Sequence, residues 1–198
     1  MRGLEQIPWF YDAFMAVCER FGLLRWRRKL TGWARGRVLE VGCGTGRNLE
    51  LYGTPEPPVA FDPCLEVVLR ARRRRPDARL LVASAEDLPF RDGAFDHVVS
   101  CLVFCSVPDP ERGLREVARV LDHGGELLMM EHVRHTSPGA ARAQDLIQPI
   151  WTAVSGGCHP NRDTESTVRR AGFEIDPGTR RARGVMRLLI ARPVADGR

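Results

Sequence analysis

An alternating α/β domain with a mostly parallel sheet is the fold class this sequence predicts, and three observations carry the prediction. Short apolar runs suited to strands buried on both faces recur at 38–41, 59–62, 80–83, 95–100 and 127–132. The first run enters a turn carrying Gly42, Gly44 and Gly46, whose missing Cβ atoms permit φ > 0 and let a bulky ligand lie against the main chain. The second run ends in Asp62, 20 residues after Gly42, which puts an acid at the carboxyl edge of an open sheet.

Ahead of the sheet, Trp9, Phe10, Tyr11, Phe14, Val17, Cys18, Phe21 and Leu24 fall at largely helical spacing and predict a helix from Ile7 to about Leu30. Val38-Leu39-Glu40-Val41 is the first strand. Residues 47–51 then read as the opening of a helix, whose free N–H groups favour a polar ligand edge. The second strand, 59–62, precedes a helix ending in Arg70-Ala71-Arg72-Arg73-Arg74-Arg75, where positive charge complements the helix dipole before Pro76 stops it. A solvated helix end accounts for that run. Residues 80–83 form the third strand and lead into the loop 84–90, with 95–100 as the fourth strand. The Gly124-Gly125 turn introduces the fifth at 127–132, and 172–175 and 186–191 bring the strands to seven.

A glycine-rich turn serves several nucleotide cofactors, and the dinucleotide fingerprint is G-x-G-x-x-G. Here the spacing is Gly42-x-Gly44-x-Gly46, with Glu40 two residues ahead. Together with Asp62, the 84–90 loop and the later strands in order, this pattern resembles the motifs of the class I S-adenosylmethionine (SAM) dependent methyltransferases from Arg37 to the C-terminus. The resemblance implies a Rossmann-like three-layer sandwich, seven-stranded and mostly parallel with one antiparallel strand. It implies residues 1–36 as an N-terminal helical lid and 37–198 as the methyltransferase domain. SAM is the implied cofactor and S-adenosylhomocysteine the product. Implied cofactor contacts are Tyr11, Glu40, Gly42, Cys43, Gly44, Gly46, Asn48, Asp62, Pro63, Ser84, Ala85, Glu86, Ser100, Cys101 and Leu102, with Asp62 on the ribose hydroxyls and Gly44 the position where a side chain hurts most. Ser84 departs from the family, many of whose members carry an aspartate there. The adenine amino group is left to Ser84, Glu86, Asp87 or a backbone carbonyl.

Methyl transfer is a direct displacement that needs alignment more than a protein nucleophile or metal. His132, at the end of the fifth strand, is the candidate to take the acceptor's proton or orient the acceptor; a strand-end histidine bonded to backbone is the alternative. His159 is the second candidate, in a loop where Asp163 or Thr164 caps the following helix. Phe14, Cys105, Ser106, Trp151 and Asn161 are the substrate-binding candidates. Phe104, Cys105, Val107 and Trp151 suggest apolar walls and a small lipophilic acceptor. Segments 102–108, 131–133 and 157–164 resemble a branch that includes thiol methyltransferases, and also bacterial phospholipid N-methyltransferases and quinone-biosynthesis C-methyltransferases. A thiol, nucleophilic as its thiolate, is therefore the favoured acceptor over an amphiphilic amine. A non-catalytic SAM-binding regulatory protein, an RNA methyltransferase and a nicotinamide oxidoreductase are the alternatives.

With 198 residues, 43% of them hydrophobic, the chain suits one domain, and no apolar run nears the roughly 20 residues that cross a bilayer. The N-terminus has no signal-peptide pattern, so the expectation is a cytoplasmic protein with its six cysteines reduced. Arg25-Trp26-Arg27-Arg28-Lys29 offers at most peripheral contact with an acidic membrane surface. Nucleic acid is disfavoured as a partner, because the arginine run lacks interleaved aromatics. His132, His135, Cys158 and His159 lack a zinc-ligand pattern, and no metal is expected. Oligomeric state is not legible.

Overall fold

The computed structural model describes residue 12, residues 15–155 and residues 157–194. Tyr11, Phe14 and the other aromatics before Asp12 lie outside the described residues, as does Gly156. A wide turn at Glu19–Leu23 continues into α1 (Leu24–Trp33). The elements that follow are β1 (Val38–Val41), a short helical turn at Leu49–Leu51, β2 (Val59–Asp62), α2 (Leu65–Arg74), β3 (Arg79–Val82), β4 (Phe95–Cys101), α3 (Pro110–Val120) and β5 (Leu121–His132). The chain continues through α4 (Pro138–Ser155), α5 (Thr164–Arg170), β6 (Phe173–Ile175), β7 (Arg181–Arg183) and β8 (Met186–Pro193).

The strand order is β3-β2-β1-β4-β5-β8-β6, with short β7 pairing β8 beyond this path. β3, β2, β1, β4 and β5 run parallel, and β8 is antiparallel to each of its neighbours. One reversed strand near the C-terminal edge is thus as expected, and β7 is an eighth strand that the sequence reading omits. Its three residues, Arg181, Ala182 and Arg183, are all exposed and lack apolar alternation.

Alternate residues of the central strands feed two cores, as a sheet covered on both faces requires. Leu39, Val41, Phe61, Val98, Leu127 and Met129 pack with Leu114 and Val117 of α3 and Val168 of α5. Val38, Ala60, Val99, Leu128 and Met130 pack on the other face with Leu30 of α1 and Ala71 of α2. Caps follow the local sequence: the Asp109 carboxylate accepts from Arg112 N–H at 3.0 Å with Pro110 in the first turn of α3, and Asp163 accepts from Ser166 N–H at 3.2 Å to start α5.

Two expectations need correction. The glycine turn does not open a long helix, because only Leu49–Leu51 takes a helical turn before the extended, proline-rich segment 52–58. The arginine run is also more than a solvated end. Arg70 and Arg74 pair with Asp12 at 2.7 and 3.1 Å, and Arg75 Nη1 donates to Leu49 C=O at 2.9 Å, so this helix end clasps the N-terminal segment and the glycine turn.

Candidate functional site

The carboxyl ends of β1, β2 and β4 open into a cavity of about 300 Å³. Gly42, Gly44, Asp62, Pro63, Ser84, Ala85, Glu86, Cys101 and Leu102 line it, together with the acceptor-side candidates Cys105, Ser106, Trp151 and His132. Nine expected cofactor positions and four expected acceptor or catalytic positions therefore share one wall. Met15, Thr45, Cys64, Val103, Val107 and Cys158 complete much of it.

Gly42, Gly44 and Gly46 all hold positive φ, at +61°, +52° and +83°. The three differ in what a side chain would meet. A Cβ on Gly42 would lie 2.6 Å from Val103 Cγ1, and one on Gly46 would lie 3.0 Å from Ala71, so these glycines let the turn pack on its own protein. Nothing lies within 4 Å of a Cβ on Gly44, which faces open space. Packing within the protein therefore penalises Gly42 first. A side chain on Gly44 would project into the cavity instead.

Asp62 holds the turn from the end of β2. Its Oδ2 accepts from Gly44 N–H at 3.0 Å and its Oδ1 from Cys64 N–H at 3.0 Å. Each oxygen keeps a further lone pair toward the cavity. Burial raises the Asp62 pKa, and the two backbone donors oppose that rise. A carboxylate with free acceptor capacity, beside a glycine with open space above it, fits the vicinal hydroxyls and main-chain approach of a nucleoside cofactor. On the neighbouring wall, Ser84 Oγ–H donates to Glu86 Oε2 at 3.2 Å while Glu86 Oε1 accepts from Asp109 N–H at 2.8 Å. Asp87 does not line the cavity.

Glu40, Cys43, Gly46, Asn48 and Ser100, expected on the cofactor, do not line the cavity. Glu40 and Asn48 are buried behind the turn: Arg27 Nη1 donates to Asn48 Oδ1 at 2.7 Å, and Asn48 Nδ2 donates to Glu40 Oε1 at 2.9 Å. This chain of bonds ties α1 to β1. Burial pushes the Glu40 carboxyl up to about 7, with Asn48, Tyr52 and the Arg27 charge opposing. Arg27, buried in this network, is thereby removed from the basic cluster read as a membrane contact. Cys43 N–H donates to Phe61 C=O at 2.9 Å and its side chain is buried.

His132 lines the cavity, whereas His159 and Asn161 do not. His159 Nδ1 sits 2.8 Å from Gly157 C=O, and Asn161 Nδ2 donates to Asp145 Oδ1 at 2.9 Å, so both serve their own loop and α4. Phe104 is fully buried in the core instead of forming the wall.

The sequence reading misses Glu131. Its Oε1 accepts from Ser100 Oγ–H at 3.0 Å, Val103 N–H at 2.8 Å and Phe104 N–H at 3.0 Å, which pins the loop after β4 that forms the acceptor-side wall. Oε2 of this fully buried carboxyl has no hydrogen-bond partner among the described residues, and burial raises the pKa of Glu131. From the other side, Arg162 Nη1 donates to Phe104 C=O at 2.5 Å and Val107 C=O at 2.8 Å. Within the same loop Leu102, on the cavity wall, holds φ +62°, alone among the described non-glycine residues in being positive. A lone acid inside an apolar strand, next to His132, is the signal that points to Glu131.

Asp12 follows Tyr11 in the sequence and is buried. Its Oδ1 accepts from Thr45 Oγ–H at 2.8 Å and its Oδ2 from Arg70 Nε at 2.7 Å. Burial works to raise its pKa, and Thr45, Arg70, Arg74 and Arg47 together outweigh burial and hold it below the usual range. Asp12 thus straps the N-terminal segment onto the glycine turn.

A second, more apolar chamber of about 590 Å³ adjoins the first. Met15, Leu102, His132 and Trp151 line both. Much of its remaining wall is apolar, from Val17, Phe21, Leu23, Trp26, Ile147 and Met186, with Gln144 and Arg183 as polar members.

Residues 39–129 match the family model described as a methyltransferase domain. A human protein named thiol S-methyltransferase TMT1B is 37% identical over 154 residues, covering 73% of this chain and 63% of that protein. The phosphatidylethanolamine N-methyltransferase of Cereibacter sphaeroides is 40% identical over 113 residues, covering 54% of this chain and 56% of that protein. The chain thus spans 56% to 63% of the length of these two curated relatives. Among solved structures, a SAM-dependent methyltransferase from Thermotoga maritima superposes with a TM-score of 0.72 over 96% of this chain and 98% of that one, at 22% identity, a likeness of fold. Glycine turn, strand-end acid, strand order and sequence similarity agree: residues 39–129 form a methyltransferase domain, and the chain is similar to SAM-dependent methyltransferases over most of its length.

Proposed function

We propose that this chain transfers a methyl group from SAM to a small lipophilic acceptor, a thiol in preference to an amine. The observation that carries the reading is the junction of the two chambers. The cofactor-side cavity meets a larger apolar one at Leu102, His132 and Trp151, which is where a reacting pair would have to meet.

SAM, when bound, supplies a methyl carbon already activated by its sulfonium. The residues of this chain then bind and align. Asp62 accepts from the ribose hydroxyls, Gly44 leaves room for the methionine half, and Pro63 with the Ser84–Glu86 loop borders the adenine. Leu102 and Val103, held by Glu131, wall the reacting region and exclude water. His132 is the polar group at the junction, placed to take a proton from the acceptor or to orient it.

Apolar walls favour a lipophilic acceptor over a nucleotide or sugar. The name of the human relative supports a thiol, and that of the Cereibacter relative makes an amphiphilic amine the second reading. The N-terminal segment is proposed as a lid, since Met15 lines both chambers and Asp12 straps the segment to the glycine turn. If so, Tyr11→Ala lowers turnover more than it lowers stability, and full methyl transfer by that variant would assign Tyr11 to packing alone.

The test of the whole reading is incubation with labelled SAM and matched thiol, amine, phenol and RNA panels. Label in a lipophilic thiol is expected. Label in RNA with no small-molecule product would overturn the acceptor reading. Tight SAM binding with no product on any panel would favour a regulatory SAM-binding protein.

A further inference from the structure

Cys105 and Cys158, distant in sequence, meet on the cavity wall. The main chain brings them there: His159 N–H donates to Cys105 C=O at 2.8 Å, and Thr152 Oγ–H donates to Cys158 C=O at 2.8 Å, anchoring the 157–159 loop to α4. With standard bond lengths, the first of these bonds keeps the two Cα atoms within roughly 7.5 Å. That ceiling overlaps the separation of about 4.4–6.8 Å that a disulfide spans, and both side chains line the same cavity.

The surroundings of the two sulfurs differ. Cys105, the His132 ring and the Trp151 indole N–H all lie against the Cys158 sulfur and hold its thiol below the usual range in spite of burial. Cys105 is pushed up, first by Cys158 and then by burial. A thiol held low beside one pushed up is the arrangement of an attacking and a resolving cysteine. Cys101, another cavity-wall thiol at the end of β4, contrasts with it: burial pushes it up to about 11.

We propose that Cys105 and Cys158 form a reversible oxidation site that takes hydrogen peroxide and closes the acceptor side of the cavity when their disulfide forms. The Cys158 thiolate attacks a peroxide oxygen, the O–O bond breaks, and hydroxide leaves a sulfenic acid on Cys158. The Cys105 sulfur then attacks the Cys158 sulfur, the S–S bond forms, the S–O bond breaks, and the departing hydroxide takes the Cys105 proton as water. In sum the two thiols lose two hydrogens and peroxide is reduced to two waters. A small external dithiol reverses the change. The disulfide draws the 157–159 loop onto residue 105 and takes the sulfur away from His132, while Asp62 and the glycine turn stand apart from it. The effect on turnover rests on the methyl-transfer reading of this cavity; the disulfide itself does not.

The experiment treats the full chain with hydrogen peroxide and follows intact mass, peptide maps, SAM binding by calorimetry and methyl transfer. Expected are loss of two hydrogens, a single cross-linked peptide joining Cys105 to Cys158, retained SAM binding, loss of most acceptor turnover, and recovery with dithiothreitol. Cys105→Ser should stop at a sulfenic acid trapped by dimedone on Cys158, and Cys158→Ser should show neither product. Should either variant fold poorly, alkylation of the wild-type chain decides: iodoacetamide modifies Cys158 first, and prior peroxide blocks both thiols. A cross-link through other cysteines, or over-oxidation of Cys158 with no cross-link, overturns the site. The cross-link with undiminished turnover overturns the closure.

Discussion

At the end of the cavity proposed for the cofactor the shape is made mainly by main chain and one carboxylate from residues 41–63 with the 84–86 loop, whereas at the end proposed for the acceptor it is made by side chains from β4, β5, α4, the 157–162 loop and the N-terminal segment. The first end is local: the β1 turn, its three positive-φ glycines and the acid of the adjacent strand are near one another in sequence and neighbours in the sheet. The second is assembled from distant pieces, with the loop after β4 clamped between Glu131 on one side and Arg162 on the other. What one end does with backbone geometry, the other does with buried charge. That difference predicts where each end is fragile.

The largest effect is expected on the acceptor side. Glu131→Ala strands the Val103 and Phe104 N–H groups in the core and should cost roughly 3–5 kcal/mol of stability, read by denaturant melts. The milder Glu131→Gln keeps an acceptor in place and should lower turnover with little loss of SAM affinity. Equal loss of both would show that the two ends are not separable. On the cofactor side, Gly42→Ala drives a methyl into Val103 at positive φ and should cost roughly 2–4 kcal/mol. Gly44→Ala should retain more of the fold than Gly42→Ala and still lose SAM binding, which a thermal melt paired with calorimetry would separate.

Asp62→Ala is next in size. Loss of hydrogen bonds to a charged acceptor should weaken SAM binding by roughly 1–3 kcal/mol in a folded protein, and unchanged calorimetric affinity would remove Asp62 from the site.

The most specific effect concerns pH. Burial raises Glu40 from the ordinary carboxylate value of 4.5 to about 7, so the folded state prefers its neutral form. Its contribution to stability is full below pH 4.5 and declines as pH rises through about 7. Glu40→Gln should therefore flatten the stability difference between about pH 5 and about pH 8, and a difference as steep as in the wild type would assign the dependence elsewhere.

The same contrast governs what can be read without coordinates. Seven strands, the glycine turn, Asp62 and the cap at Asp163 follow from local pattern, because strand periodicity, φ > 0 at glycine and N-cap chemistry involve residues within a few positions of each other. They carried the fold class and the cofactor edge of the cavity. Tertiary structure decided the rest. Glu40 and Asn48 sit in the motif yet bond to Arg27, away from the cavity, and the residues 47–51 form a short turn instead of a helix. Arg70, Arg74 and Arg75 read as solvated charge but grip Asp12 and Leu49. Glu131 looks like one acid in an apolar strand until the loop after β4 folds back onto it. A charge buried among segments far apart in the chain has no local signature, since its worth depends on partners that only the folded chain brings within hydrogen-bond reach.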